Sequence, residues 1–290
     1  LMELHTLGVD SGYSQQDVQE LARVLTGVGV SQRPPGDEPP RMRPALLRHY
    51  VREGLFEFNP QRHDWDPKTL LGQPLRAQGL AEVDEALDRL TRAPATARFI
   101  TRKIALFLMG DNPPPALLQT LARSFERSDG DIAAVLETLF HTPEFRASLG
   151  QRFRDPVHYA LAGLRLAHGD AVLPSTDPAL AWLQRLAEPL YGRVTPDGYP
   201  LDSATWSGSG QMSTRFEMAR ALGAGALAAP PASDDAAPRA APRTPPALAQ
   251  TAYVRTLEPT WSPATRGALA QATSLSLIHI SEPTRLGMIS

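Results

Sequence analysis

Cysteine is absent from the 290 residues, which removes disulfides, thiolate metal ligands and cysteine nucleophiles together. Such a composition suits an exported protein and a cytoplasmic one alike. Long apolar runs are missing too. The densest, Ile104 to Met109, is six residues inside an amphipathic pattern, against the roughly 18 or more of a membrane-spanning helix. There is no marked excess of either charge: the formal net charge is −2 and the isoelectric point about 6.4. That balance supplies no broad electrostatic attraction for nucleic acid or an anionic membrane, so neither is expected as a partner. The chain also lacks HExxH, GxSxG and any paired-carboxylate signature on a common face. The Ser207-Gly-Ser-Gly210 stretch is no phosphate loop, because no Gly-Lys-Ser/Thr closes it.

What is present is apolar periodicity. Apolar residues make up 42%, ample for a core, and their spacing predicts an all-α, multi-helix fold. The organising stretch is Pro94 to Phe145, three amphipathic helices in a row. In the first, Ala97, Ile100, Ile104, Phe107 and Leu108 share a stripe. The second opens at Asn112 with Pro113 to Pro115, tolerated in a first turn that has no internal use for their N–H groups, and aligns Leu118, Leu121 and Phe125. The third is capped by Asp129 or Asp131 and aligns Ile132, Val135, Leu136 and Leu139. Upstream, Ser14 and Asp17 form a capping box before Val18, Leu21, Ala22 and Leu25. Leu80, Val83, Leu87 and Leu90 mark another helix. Downstream, a capping residue followed by proline recurs at Thr142-Pro143, Asp155-Pro156, Asp177-Pro178 and Ser262-Pro263, each predicting a helix start. Short alternation at Leu55 to Phe58 suggests a minor β-hairpin near residues 55–72.

Domain organisation follows from composition. Residues 1–227 read as one helical domain. Residues 228–250 hold many prolines and alanines with few large apolar groups, and are expected to be a disordered linker. Residues 251–274 read as a C-terminal helical segment. The tail LSLIHISEPTR, Leu275 to Arg285, resembles the translation of a transposase-type sequencing adapter, so residues 275–290 are set apart from fold reasoning.

Several segments in order carry a family resemblance: LMELHTLGVDSGYSQQDVQELARVLTG, FEFNPQRHDWDPKTLLGQ, the 95–145 stretch, FRDPVHYALAGLR, and EPLYGRVTPDGYP with WSGSGQMSTRFEMA. Together they resemble the bacterial family catalogued as domain of unknown function 1800 (DUF 1800). Two departures stand out: Ala187-Glu188 where Gly-Gln is expected, and Ser207-Gly208 where Ser-Pro is usual. The resemblance implies a mainly helical fold, a further region before Leu1 and a short helix after residue 274. It also implies frequent genomic pairing with a second, exported family. It implies no established reaction or catalytic residues.

The most concentrated polar cluster is Arg62 to Lys68. His63, Asp64 and Asp66 could ligate a divalent metal or act in acid–base work, with His5 and Glu3 completing a site if they packed nearby. The competing reading is a loop in which Asp64 and Asp66 hydrogen-bond local backbone while His63 anchors a turn. Asp129-Gly-Asp131 lacks the distal glutamate and repeated oxygen ligands of an EF-hand and reads as capping. Two functions follow as expectations: a helical interaction or assembly protein working with an exported partner, or a metal-assisted hydrolase centred on the His-Asp loop.

Overall fold

The computed structural model describes residues 1–9, 11–34, 36–168, 175–223, 261–264 and 266–267. The fold is mainly helical, with two small antiparallel sheets. A π-helical turn, Met2–Thr6, is followed by α1 (Gln15–Val24), β1 (Val28–Val30), α2 (Pro44–Leu47), β2 (Val51–Glu53) and β3 (Phe56–Phe58). Then come β4 (Thr69–Leu70), β5 (Gln73–Pro74), α3 (Leu80–Thr91), α4 (Pro94–Met109), α5 (Pro115–Arg127) and α6 (Ile132–Phe140). The remaining helices are α7 (Pro143–Ser148), α8 (Pro156–His168), α9 (Asp177–Arg185), α10 (Ser203–Trp206) and α11 (Ser209–Gly223).

Local signals explain most starts. Ser14 and Asp17 form the capping box of α1, the Ser14 hydroxyl accepting from the Asp17 amide. Thr142 Oγ1 accepts from the Phe145 amide ahead of Pro143, and Asp155 Oδ1 accepts from the His158 amide at the start of α8. Asp131 Oδ1 takes the Ala133 amide and so caps α6. α9 starts one residue earlier than its Asp-Pro signal implies: Thr176 is the N-cap and makes no side-chain capping bond. The Ser-Gly-Ser-Gly stretch is less open than it reads, because Ser209 already begins α11.

The expected hairpin resolves into more than one pairing. β3 is the middle strand of a sheet ordered β1-β3-β2, while β4 and β5 form a separate ribbon. Gly27, with φ of 89°, enters β1 so close to Asn59 that an added Cβ would stand 2.8 Å from its carbonyl oxygen.

The chain divides into two compact units, residues 1–102 with 118–138, and residues 103–117 with 139–290. The first unit's core joins Met2, Leu7, Leu21, Val24, Leu70 and Leu90 with neighbouring apolar groups. The second gathers Tyr159, Leu164, Trp182, Leu186, Met218 and Leu222. The buried stripes differ from those expected. In α4, Ala97, Thr101, Ala105 and Met109 are buried, whereas Phe107 is 43% exposed. Three small side chains one turn apart form this stripe with Met109 at its end, and larger ones flank it. Val18, Leu87, Ile132, Leu161 and Leu180 are likewise exposed. The 228–250 linker and the 275–290 tail lie outside the described residues. So does most of the 251–274 segment, apart from the short helical stretch that begins at Pro263.

Candidate functional site

The Arg62–Lys68 loop folds against α1 and α3 in the first unit and assembles a buried polar cluster. His63 is 6% exposed, its ring set edge-on to Phe58 and Trp65 at centroid distances of 5.2 and 5.1 Å. Nδ1 lies 2.8 Å from the Thr26 carbonyl oxygen and must carry a proton to donate there. Nε2 stands 3.3 Å from Glu82 Oε2 on α3, close in distance but not aligned as a hydrogen bond, and it has no other partner among the described residues. The same Glu82 oxygen accepts from Lys68 Nζ at 2.8 Å. Lys68 also donates to the Asp66 carbonyl at 3.1 Å and to that of Asp64. Both partners of this pair are buried, at 1% and 5% side-chain exposure, so each carries the desolvation cost of the other.

Asp64 turns the opposite way. Its carboxylate receives the Arg23 guanidinium at 2.8 and 3.3 Å and the Asp66 amide at 2.9 Å. The Arg23 bond, with the Asp66 amide, holds Asp64 at about 2, below the usual aspartate range. Asp66, His5 and Glu3 have exposed side chains. Among the described residues, no three His, Asp or Glu side chains are grouped so as to hold a metal ion. The structure therefore joins His63 to Glu82 and Lys68, joins Asp64 to Arg23, and leaves Glu3 and His5 outside a shared ligand set. A cation does sit on Glu82, but it is the Lys68 ammonium.

A second polar cluster lies in the other unit, around the start of α8. Arg215 on α11 is 1% exposed. Its guanidinium is placed over the rings of Phe153 and Tyr159, 4.8 and 4.7 Å from their centroids, and donates to the Arg154 carbonyl at 2.9 Å. Its Nε is buried without a hydrogen-bond partner among the described residues, and burial lowers its pKa. The Tyr159 hydroxyl donates to the Arg215 carbonyl at 2.8 Å, and burial pushes that phenol up to about 12. Glu188, 7% exposed, accepts the Val157 amide at 2.9 Å. Burial pushes this carboxyl up to about 7, and the negative charge of Asp155 adds to the effect. For Asp155 burial acts upward as well, but the His158 hydrogen bonds and the Arg152 charge outweigh it and hold the group low. His158 Nδ1 lies 2.6 Å from Asp155 Oδ2. Two carboxyls at one helix start are thus driven in opposite directions by their surroundings.

A family model described as "Protein of unknown function (DUF1800)" matches residues 1–284. The chain belongs to this family. No curated protein and no solved structure matches it. In this DUF1800 chain one of the two departures noted in the sequence, Ala187-Glu188, acquires physical content. Ala187 has φ of 59°, the left-handed region where glycine is unstrained. Glu188 is a buried carboxyl whose raised pKa keeps it neutral over part of the range in which glutamine is neutral throughout. Sequence reasoning found His63, Asp64 and Asp66 through their density. It missed Glu82, which occupies an ordinary helical position in α3, and Arg215, one arginine among many. The usable signal for Arg215 was its α11 neighbours Met218, Ala219 and Leu222: all three are buried, which places residue 215, one turn before 219, on the inward face.

No helix among the described residues is long and apolar enough to cross a membrane.

Proposed function

We propose that this DUF1800 chain is a helical interaction protein that works with a co-encoded exported partner, and that the partner lays an extended segment along β1. The observation that carries this reading is the exposed apolar end of the three-stranded sheet at β1. Register places Val28 opposite Phe58 and Val30 opposite Phe56, and directly opposed residues share a face. Phe58 is buried, but Val30 is 69% exposed, and Phe56 and the adjacent Leu55 are exposed with it. β1 is also an edge strand. Gly27 bonds to Asn59 and Ser31 to Leu55 across the ladder, so the intervening alternation turns the Val30 N–H and C=O away from β3. An apolar edge of this kind is a template for an added strand. The genomic pairing implied by the family resemblance supplies the partner.

The competing reading, a metal-assisted hydrolase centred on His63 and Asp64, has less support, since Lys68 already places a cation on Glu82 and Arg23 occupies the Asp64 carboxylate.

Titration calorimetry of the full chain with its co-encoded exported protein is the test. A complex of micromolar or tighter affinity is expected, weakened about tenfold or more by Val30→Asp. Absence of binding heat together with separate elution of the two proteins would overturn the reading.

A further inference from the structure

We infer that the second unit carries a binding cleft for a neutral, hydroxyl-rich ligand of the size of a short saccharide, bounded by the end of α4, the segment between α7 and α8, and α10. The cleft encloses about 390 Å³, within the roughly 300–1,000 Å³ of small-molecule pockets. The inference stands apart from the sheet edge in the first unit and does not depend on it.

The lining sets the ligand's chemistry. Asn112, Gln151, Ser148 and Ser207 contribute amides and hydroxyls, while Met109, Leu201 and Phe153 supply apolar surface. The amides offer both donors and acceptors, and the Ser148 and Ser207 hydroxyls, which donate to the Phe145 and Ala204 carbonyls, still accept; together these match the hydroxyl groups of a sugar, and apolar patches between them match the C–H faces of its ring.

Two charged residues also line the cleft, Asp111 and Arg152. Their formal charges cancel, and both are already engaged. Asp111 accepts the Ser203 amide at 3.0 Å and the Ser203 hydroxyl. Arg152 pairs with Asp155 at 3.4 Å and places its guanidinium over Phe107, 4.8 Å from the ring centroid. An anionic ligand would therefore meet the Asp111 charge and an arginine that is already paired, whereas a neutral one avoids the cost of desolvating a charge of its own.

The same pairs hold the walls. Gly110, with φ of 99°, closes α4 and turns the chain into the cleft. Asp111 ties that turn to α10, and Phe153 carries the Arg215 guanidinium over its ring. Walls fixed by their own contacts in this way lower the ordering cost of binding.

The test uses the full chain with four probes: maltotriose, tri-N-acetylchitotriose, a heparin tetrasaccharide and a glycine–serine tetrapeptide. Saturation-transfer NMR and calorimetry are expected to show millimolar or tighter binding of at least one neutral trisaccharide. Asn112→Ala combined with Gln151→Ala should weaken it about tenfold, the loss expected for removing one or two hydrogen bonds. Both residues are exposed, so an unchanged circular dichroism melt should accompany the loss. Failure of both neutral trisaccharides at about 10 mM, binding insensitive to the double substitution, or tighter binding of the heparin tetrasaccharide or the tetrapeptide would each overturn the inference.

Discussion

Glu188 shows how one buried carboxyl links the sequence to pH-dependent stability. In the folded chain it keeps its proton until about pH 7, whereas an unfolded glutamate releases it in the usual carboxylate range. The folded state thus binds the extra proton. The stabilisation is fully present at low pH and lost as pH rises through about 7. Glu188→Gln should accordingly raise the melting temperature at about pH 8, by the equivalent of ~1–3 kcal/mol, and flatten the decline between about pH 5 and pH 8. The glutamine can still accept the Val157 amide. A melt series that falls equally in both proteins would show the cause to lie elsewhere. Lys68 and Glu82 invite the opposite experiment. Lys68→Met removes one member of a pair that is almost wholly buried and should cost about 3–5 kcal/mol in urea unfolding. Adding Glu82→Leu should recover most of that loss, because the uncompensated charge goes with it. His63 and Asp64 stand out in the sequence as members of a dense polar cluster. Their partners do not, because Glu82 and Arg23 lie 19 and 41 positions away from them and only folding brings them within reach.

Among the longer helices, existence was legible and orientation was not; the four-residue α2 and α10 went unseen. The capping box at Ser14 and the Thr-Pro and Asp-Pro starts at residues 142 and 155 act through neighbours within four positions, so sequence alone locates them. Which stripe is buried depends on what packs against the helix. In α4 that stripe consists of Ala97, Thr101, Ala105 and Met109, and a hydrophobicity count favours the larger side chains beside it. α6 allows a direct test. Leu139 is fully buried and Ile132 is 42% exposed, although both belong to the expected apolar stripe. Leu139→Ala should destabilise by about 2–5 kcal/mol, while Ile132→Ser should cost no more than about 1 kcal/mol, as measured by chemical denaturation. Equal losses would contradict the observed helix rotation. In the sheet, alternation at Leu55 to Phe58 identified β3. Pairing with β1 and β2 needed the tertiary fold, since the β1 contact spans the residues between Val30 and Phe56.

Across the whole molecule, composition governs colloidal behaviour more than fold. With a net charge of −2, self-repulsion is weak near neutrality, and solubility should pass through a minimum near pH 6.4, observable by light scattering across a pH series. Composition also excluded disulfides and, through the short apolar runs, membrane-spanning helices among the described residues. Family membership and mainly helical class were legible because both depend on ordered local patterns: periodicity, caps and turn residues that recur along the chain. The division into two units that interleave in sequence was not, since residues 118–138 join a unit whose other members precede residue 103. By itself the sequence determined most of the helix starts, the helical class, the family and the location of the polar loop, all properties set by residues near one another. Only the tertiary structure decided that Lys68 occupies Glu82, that Arg215 lies between two aromatic rings, and that β1 stands open at its edge. Each of those depends on packing between distant segments, where burial and pairing, rather than local preference, fix what a side chain can do.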